Sequence, residues 1–535
     1  MPRPLTVDTA IQFFPRGGSS IVVQYLNREL AARGAHLVVA CGSLGDVGQF
    51  SHAATFYQGL PIAPFDYTPA ADAYRNGRPS MDGQRIPFHP SFEDRGPAAP
   101  DRQASAVAPA TFDHLVHAWH THLSRHRSAR PDVLHLHHLS HLQEAAARAY
   151  PGIPRLTTLH GTDLKLLQHA HEIRSLAAQV GAIPQHLADV LPPDPVERTR
   201  ALTRLAREHH LTEPDAAALH ATRWPLWRHT ASWIASMERW ARLAGQLVTV
   251  STSDREQAAR LLHVPEDSIN VVPNGADLTR FTPTVLNGWQ RLDLLRHWLV
   301  EDPRGWAPGQ EPGSIHYEYA DLARLLDHRG QLRPVVLWVG RYQRVKRLDL
   351  LLEAFAAVVS DSDPAPVLLL WGGAPGEYEG EHPAVTVKRL GISDHVFIIG
   401  WRGHDELPLG LTLADVMAAP AVGESFGMVY IEAMAAGRPP IATQTGGPAD
   451  FIIPAGPLAN GWTVRPDDRT HLTTVLREAL ADPVERARRG HNAAHCAAKY
   501  GWPTITDHYQ DVYDRTRDTL AAHRTRPANQ APTEP

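Results

Sequence analysis

Two glutamates stand on either side of a predicted helix start in the segment 423–437. Glu424 precedes the helix and Glu432 lies within it, eight positions later. The backbone N–H groups near Phe426 and Gly427 belong to the helix N-terminus, where an anion is stabilised. A simpler interpretation is that one glutamate caps the helix and the other is solvated. The flanking glycines favour a ligand site, because they let a ligand approach the backbone closely.

The spacing of the two glutamates argues against a glycoside hydrolase pair. If both were helical, eight residues at about 1.5 Å each would separate them by about 12 Å. Retaining hydrolases need roughly 5 Å between their carboxyl groups and inverting ones up to about 9.5 Å. For the helix itself, we expect Ser425 to act as the N-cap and Gly437 to end it in the left-handed conformation.

Two basic residues, Arg341 and Lys346, stand at and just after the end of a predicted buried strand. Lysine is rare here, with four (Lys165, Lys346, Lys388 and Lys499) among 52 basic residues. Fixed cations or a divalent metal can neutralise a departing diphosphate. The motif 361–363 (Asp-Ser-Asp) could hold a metal, but it lies between a helix and a Pro-led strand, away from ligand-bearing strand ends. We therefore expect fixed cations and no metal.

A histidine follows another predicted strand, in the run Leu159-His160-Gly161-Thr162-Asp163. The carboxyl ends of strands in open α/β sheets carry ligand contacts, so His160 is a candidate site residue. Four more histidines cluster upstream, at positions 135, 137, 138 and 141. Structural zinc needs cysteines or a paired spacing that is lacking here, so we interpret them as histidines beside a cleft. Gly17-Gly18, before a helix, indicates either a tight turn or close approach of a ligand.

The order of predicted elements favours an α/β protein with two parallel-sheet domains. Strands and helices alternate in 1–283 and again in 334–500, which is typical of parallel sheets. Two Rossmann-like domains that face each other across a cleft suit a nucleotide-linked donor on one side and an acceptor on the other. A final helix is expected at 501–523, and 524–535 is expected to be a disordered tail.

Three segments interrupt the alternation. Residues 61–109 are rich in Pro, Gly, Asp and Arg, and predict an irregular, partly mobile lid or binding loop. Residues 164–228 predict a helical layer, and 284–333 an irregular insertion or linker.

The composition excludes several classes of protein. At 535 residues the chain is too long for one core. Two cysteines make no disulfide framework, so we expect a reducing, cytoplasmic location. The net charge of −5 without a basic tract argues against nucleic-acid binding. The chain has no apolar run of membrane-spanning length, so no stable membrane insertion is expected.

The motifs resemble those of glycosyltransferase family 4, a family of retaining enzymes with the GT-B superfold. The resemblance covers residues 5–42, 132–163, 246–281 and 334–523. Its most specific parts are the Gly-Gly loop, Asp-Val-x-His-x-His-His, Thr-x-His-Gly-Thr-Asp, Pro-Asn-Gly-x-Asp, Gly-Arg-x4-Lys and Glu-x7-Glu.

The resemblance implies roles for the matching positions. The implied catalytic residues are His160, Arg341, Lys346 and Glu424. The implied donor-binding residues are Gly17, Gly18, Gly340, Arg341, Lys346, Arg402, Glu424, Ser425, Phe426, Gly427, Met428, Val429 and Glu432. Candidates on the acceptor side are Arg16, His138, Asp163 and Asn274.

Within that set, the family pattern gives each side chain a partner on the donor. Arg341 and Lys346 would bind the diphosphate, and Glu432 the ribose hydroxyls. Glu424 would contact the hydroxyls of the transferred sugar, and His160 the same sugar near its reacting carbon. Arg402 would lie against the base.

The resemblance implies transfer of a sugar from a nucleotide-diphosphate sugar, with UDP expected and an α-linked product. It also implies that the last helix, at 501–523, crosses back onto the first domain. A small soluble acceptor is expected, because the sequence shows little sign of membrane attachment. No cofactor or metal is expected, and a homodimer stays open. The alternatives are a phosphorylase or epimerase on the same superfold, or an inactive nucleotide-sugar-binding protein. A phosphorylase would need a Schiff-base lysine for pyridoxal phosphate. Lys346 is the lysine placed in the cleft, where the diphosphate is expected to occupy it.

Overall fold

The computed structural model describes residues 3–77, 88–96, 99–376 and 378–525, with side chains as far as residue 518. The chain forms two compact units. The first contains the described residues up to Val250, Asp254–Val272 and the chain from Thr506. The second contains Ser251–Ser253 and Pro273–Ile505. The units divide at Val272, before the predicted boundary at residue 283.

The first unit is built on a seven-stranded parallel sheet with the order β3-β2-β1-β4-β5-β6-β7. Its strands are β1 (Thr6–Ile11), β2 (His36–Ser43), β3 (Ile62–Asp66), β4 (Val133–His137), β5 (Arg155–Thr158), β6 (Gln246–Thr249) and β7 (Ile269–Val271). Every residue of β1 and β4 is buried, as expected for central strands covered on both faces.

Eleven α-helices connect these strands among the described residues. They are α1 (Gly17–Ala32), α2 (Ala53–Phe56), α3 (Thr68–Arg75), α4 (Pro109–His126), α5 (Leu142–Ala149), α6 (Thr162–Gln179), α7 (Pro184–Val190), α8 (Pro195–Glu208), α9 (Glu213–Ala221), α10 (Thr230–Leu243) and α11 (Thr252–Leu262). Helix α1 buries Val22, Leu26 and Leu30, which recur at helical spacing and cover the sheet.

The second unit is built on a six-stranded parallel sheet with the order β10-β9-β8-β11-β12-β13. Its strands are β8 (Val335–Gly340), β9 (Val367–Gly372), β10 (Val396–Gly400), β11 (Val416–Ala418), β12 (Pro440–Thr443) and β13 (Trp462–Val464). Its helices are α12 (Gly288–Arg296), α13 (Leu348–Asp361), α14 (Pro383–Arg389), α15 (Gly403–Leu413), α16 (Met428–Ala435), α17 (Arg469–Ala481) and α18 (Pro483–Ala497). The two sheets confirm the predicted α/β class with two Rossmann-like domains.

The last helix, α19 (Trp502–Thr525), joins the first unit from Thr506 onward. Tyr509 and Tyr513 are fully buried in it. The hydroxyl of Tyr513 lies 2.8 Å from Nδ1 of His135 in β4. These aromatic side chains of α19 are therefore part of a core. Residues 524 and 525 are helical, and the rest of the predicted tail, 526–535, lies outside the described residues.

The segment 61–109 is more regular than predicted. It supplies the edge strand β3 and helix α3, and the prediction of an irregular segment is wrong there. Phe88, His89 and Phe92 further along are buried, because they pack on the aromatic residues after β1. Residues 78–87 and 97–98 of the segment lie outside the described residues.

The other two segments also pack as parts of their units. Residues 164–228 form helices α6–α9, which confirms the predicted helical layer. In 284–333, Trp298 and Trp306 are buried, and the Trp298 ring meets Trp371 of β9 edge-on at 5.1 Å. This segment is therefore part of the second unit. None of the described helices has the length and apolarity that a membrane span requires.

Candidate functional site

The second unit places its predicted residues where its strand order reverses. Strands β8 and β11 are neighbours, and the chain leads away from them in opposite directions. Ligands of open α/β sheets bind outside the carboxyl ends of strands at such a point. The loops that follow these two strands are held together, since the N–H of Val422 donates to the carbonyl of Val345 at 2.8 Å.

Lys346 and Glu424 meet at this point. Lys346 ends a short 3₁₀-helix after β8, and Glu424 lies in the loop after β11. The Lys346 ammonium donates to Oε2 of Glu424 at 2.5 Å. The two side chains are 25% and 18% exposed, so a ligand can reach both. Arg341 is the first residue after β8, and its side chain is exposed to solvent.

Helix α16 begins immediately after this loop. Gly427 occupies its cap position with φ +87°, so the prediction that Ser425 is the N-cap is wrong. A methyl group at Gly427 would come within 2.4 Å of the Tyr430 ring. The first N–H groups of the helix, at Met428 and Val429, have no carbonyl one turn earlier to bind. They therefore remain available to an anion.

The end of α16 is as predicted. Gly437 has φ +73°, and its N–H donates to the carbonyl of Met434 at 2.9 Å. A second glycine turn packs beneath the loop at the helix start. The N–H of Gly447 donates to the carbonyl of Glu424 at 2.8 Å, and a side chain at Gly447 would strike the Ser425 backbone. The Ser425 hydroxyl is buried and has no hydrogen-bond partner among the described residues.

Glu432 has a partner that the sequence motifs did not indicate. Its Oε1 lies 2.8 Å from Nε2 of His404, near the start of α15, and Glu432 is 4% exposed. Burial alone would lower the pKa of His404, but its hydrogen bond to Glu432 and the charge of that carboxylate outweigh burial and raise the pKa. The side chain of His404 is one-quarter exposed. His404 stands shortly after the end of β10, and a histidine at such a position can be identified from the sequence as a candidate site residue.

Arg402 does not face outward from its strand end. Its guanidinium is fully buried and ion-paired with Asp302 and Glu406, the second at 2.9 Å. It also lies 5.7 Å from the ring centre of Trp298. Its donors bind Asp302 of segment 284–333 and Glu406 of α15, so the predicted contact of this side chain with a base has no support from these contacts.

Gly340 and Asn274 belong to the second unit as well. Gly340 ends β8, where a side chain would come within 3.0 Å of the Trp338 ring. Oδ1 of Asn274 is buried with no hydrogen-bond partner among the described residues. The next residue, Gly275, packs so closely on Trp502 that an added methyl group would lie 2.5 Å from that ring. Asn274 is thus held in place by its neighbour.

The first unit also places its predicted residues at a reversal of strand order. Strands β1 and β4 are neighbours, and the chain leads outward from each on opposite sides. Gly17 is the first residue of α1, with φ +66°, and both Gly17 and Gly18 are exposed. A methyl group at Gly17 would meet no atom within 4 Å. The backbone conformation therefore favours glycine here, and the space beside it is open.

Arg16 is anchored to the segment 88–103. Its Nη2 donates to the buried carboxylate of Asp101 at 3.0 Å. The guanidinium lies over the rings of Phe13 and Phe14, at 5.2 Å and 4.8 Å from their centres. Burial lowers the pKa of Arg16, and the charge of Asp101 opposes that effect. Asp101 gave no motif signal, because this contact joins positions far apart in the chain.

His160 follows β5 and precedes Gly161, the left-handed cap residue of α6. Its Nε2 lies 3.0 Å from Nδ1 of His137, the last residue of β4. His138 packs 4.7 Å away, ring centre to ring centre, and has a positive φ of 68°. His137, His138 and His160 therefore form one cluster. Burial lowers the pKa of His160 and of His137 well below the ordinary value, so both rings are neutral at pH 7.

Asp163 lies beneath this cluster and is fully buried. Its Oδ2 accepts a hydrogen bond from the N–H of Leu139 at 3.0 Å and lies 3.7 Å from Nδ1 of His138. These contacts fix the loop after β4. In the part of the chain that the structure describes, no group of three or more metal-ligating side chains is placed to hold an ion.

Comparison with known proteins agrees with this arrangement. The family described as "Glycosyltransferase Family 4" matches residues 16–280, and that described as "Glycosyl transferases group 1" matches residues 329–495. A D-inositol 3-phosphate glycosyltransferase of Streptomyces avermitilis is 28% identical over 309 residues, 55% of this chain and 64% of that protein. Another, from Catenulispora acidiphila, is 33% identical over 197 residues, 36% of this chain and 45% of that protein. The matched stretches thus span from under half to under two thirds of these relatives.

Solved structures share the fold at low sequence identity. The sucrose-phosphate synthase of Thermosynechococcus elongatus has a TM-score of 0.60 at 18% identity, covering 97% of this chain and all of that one. Alr3699/HepE of Anabaena, in complex with UDP, has a TM-score of 0.55 at 16% identity, covering 96% of this chain and all of that one. With its two family matches and its GT-B fold, the chain belongs to glycosyltransferase family 4.

Proposed function

We propose that this protein transfers a sugar, with retention of configuration, from a uridine diphosphate sugar to a hydroxyl group of a small soluble acceptor. The observation that carries this proposal is the contact of Lys346 with Glu424 beside the start of α16. It combines a fixed cation, a carboxylate and the backbone N–H groups at a helix N-terminus, which are the groups that a sugar diphosphate needs.

The diphosphate is assigned to the cations. As the bond between the sugar and the diphosphate breaks, negative charge grows on the departing oxygen. Lys346, Arg341 and the first N–H groups of α16 stabilise that charge by fixed positive potential. With these groups the diphosphate is stabilised without a metal. Lys346 keeps Glu424 as its partner until the donor arrives, so the ammonium is held in place beforehand.

The hydroxyl groups of the donor are assigned to the two glutamates. Oε1 of Glu432 is bound to His404, and we assign Oε2 to the ribose hydroxyls. Since Glu432 is almost fully buried, its hydrogen bonds with ribose form in a medium that strengthens them. Glu424 is assigned to the hydroxyls of the transferred sugar.

Retention is assigned to a front-face reaction. The bond from the sugar C1 to the phosphate oxygen breaks, and the acceptor oxygen forms its bond to C1 on the same face. The acceptor proton passes to the departing phosphate oxygen. The lowered pKa of His160 supports this route, because a ring that resists protonation is a poor general base.

The comparisons guide the choice of substrates. HepE has been crystallised with UDP and with UDP-glucose, which makes UDP the first nucleotide to test. The curated relatives carry D-inositol 3-phosphate in their names, so a phosphorylated polyol belongs in the acceptor panel.

The deciding experiment combines binding and turnover. A thermal-shift panel of UDP, GDP, ADP and TDP should show stabilisation by UDP, which reaches about 2.7 kcal/mol at 100 times Kd. UDP-sugars should then release UDP only when an acceptor such as a polyol phosphate is added, in the presence of EDTA as well as Mg²⁺. Stabilisation without release from any donor–acceptor pair would identify an inactive binding protein. Release that EDTA abolishes would overturn the metal-independent mechanism.

A further inference from the structure

Four histidines in the first unit differ sharply in what their ring nitrogens contact. His135 and His137 are fully buried and His138 is 2% exposed, whereas His160 is partly exposed. The hydrogen bond between Nδ1 of His137 and Nε2 of His160, at 3.0 Å, uses one nitrogen of each ring. Among the described residues, no side chain or backbone group binds Nδ1 of His160. Nδ1 is therefore the nitrogen of His160 that can meet a ligand.

One hydrogen bond between two neutral imidazoles needs a proton on one nitrogen and a lone pair on the other. If His160 donated from Nε2, His137 would carry its proton on its own Nε2. That atom is buried and has no hydrogen-bond partner in the described part of the chain, so an N–H group there would be orphaned. If His137 donates from Nδ1 instead, its Nε2 presents only a lone pair. Orphaned buried N–H groups are rarer than buried acceptors without a partner, so the second arrangement is favoured.

The position of His137 is fixed by the layer beneath it. Its ring stacks on that of His135, with the ring centres 4.3 Å apart. His135 is held at both nitrogens, by the Tyr513 hydroxyl and by Oγ1 of Thr158, each at 2.8 Å. The donor nitrogen of His137 therefore cannot turn away from His160 without disturbing this layer.

We propose that His137 is a positioning residue that holds His160 in the neutral Nδ1–H tautomer, so that His160 presents a hydrogen-bond donor to the substrate. The proposal rests on the glycosyl transfer proposed above. It assigns His160 to donation towards an oxygen of the transferred sugar. It also excludes His160 as the base that removes the acceptor proton, because Nε2 is occupied and Nδ1 already carries a proton.

Substitutions at His137 test whether this side chain acts by donating a hydrogen bond or only by filling space. The amide nitrogen of asparagine can take the place of Nδ1 of histidine, whereas that of glutamine takes the place of Nε2. We expect His137→Asn to keep kcat within a few fold of wild type. His137→Gln and His137→Leu should lower kcat by about tenfold to a hundredfold, as when other imidazoles lose the partner that orients them, with a smaller change in donor KM.

His141 provides the matched control. It is fully buried, neither of its ring nitrogens has a partner, and it has no contact with His160 among those described. His141→Leu should therefore lower stability without the loss in kcat. Equal kcat losses in His137→Leu and His141→Leu would overturn the proposal, as would equal kcat values for His137→Asn and His137→Leu.

The tautomer can be read without any activity. Nitrogen-15 NMR of the full chain, with His160→Gln for assignment, should show His160 protonated at Nδ1 in the wild type. A wild-type spectrum with the proton on Nε2 of His160 overturns the proposal even if none of the His137 variants folds. Absence of glycosyl transfer in the wild type, together with an Nδ1–H spectrum, would contradict the proposed function and leave the assigned tautomer standing.

Discussion

The ammonium of Lys346 lies 2.5 Å from a carboxylate oxygen of Glu424, 78 positions further along the chain. The contact forms because β8 and β11 are neighbours although three helices and two strands separate them in sequence. It brings a cation and an anion to the strand ends where a parallel sheet places its ligands.

Lys346→Ala is expected to slow transfer by a few orders of magnitude, because the diphosphate loses a fixed cation as its charge develops. UDP should also bind more weakly in the thermal-shift assay. Lys388→Ala is the control, since Lys388 is an exposed lysine in α14. A kcat/KM for Lys346→Ala equal to that of Lys388→Ala would remove Lys346 from the diphosphate site.

Glu432→Gln is expected to raise the donor KM more than it lowers kcat, because a neutral amide is a weaker acceptor for ribose hydroxyls. The same substitution should lower the pKa of His404, which the Glu432 carboxylate now raises. NMR titration of His404 in both proteins measures the second effect. An unchanged donor KM would argue against the ribose contact.

The His404–Glu432 pair also predicts a pH dependence of stability. The pKa of His404 is raised in the folded state, so its contribution is fully present below the ordinary value of 6.5. That contribution is lost as the pH rises through the raised pKa. The difference in urea midpoint between wild type and Glu432→Gln should therefore shrink as the pH rises. A constant difference would show that the pair does not titrate.

The buried histidines predict that the first unit, in contrast, becomes less stable as the pH falls. Burial lowers the pKa of His135 from 6.5 to about 3, so this ring is neutral when folded and protonated when unfolded between those values. Stability should fall as the pH drops below 6.5, by about 1 kcal/mol per pH unit for each such histidine. Urea unfolding from pH 7.5 to 5 measures this slope. His135→Gln should make it shallower, and an unaltered slope would contradict the prediction.

Gly427→Ala is expected to disrupt the start of α16 and to abolish UDP binding. Its φ of +87° is strained for alanine, and the added methyl group would meet the Tyr430 ring at 2.4 Å. Gly391→Ala separates the two effects, because Gly391 has φ +69° and no atom within 4 Å of the added group. The first variant should lose clearly more stability than the second. Equal losses of thermal stability in the two variants would show that contact of the added methyl group with the Tyr430 ring does not destabilise the protein.

Strong local patterns were readable from the sequence. The apolar runs at β8 and β9 predicted buried strands, and Gly437 was correctly predicted to end its helix. Of the three-residue strands, β11 was predicted from its apolar run, whereas two others were not. Strands β7 and β13 have three residues each, too few for a period to show. Strand β3 was hidden because its sequence, with a proline in the middle, suggests an edge or a loop.

Contacts between residues far apart in the chain also could not be predicted from the sequence. The motif around Arg402 favoured a ligand contact, but one partner of that guanidinium, Asp302, lies a hundred positions earlier, in a segment that looked irregular. The partnership of His404 with Glu432 was missed for the same reason. Ser425 was expected to cap a helix because serine favours that position, yet the left-handed backbone at Gly427 starts the helix two residues later.

The path of α19 has a consequence for how the chain folds as it is synthesised. The ribosome makes the six strands of the second unit before it reaches Tyr509 and Tyr513, which the first unit buries beside β4. The first unit, whose sheet is made before that of the second, is therefore completed after it. Until α19 is made, the face of β4 that carries His135 stays uncovered, and a chaperone that shields apolar surface would be needed there for longest.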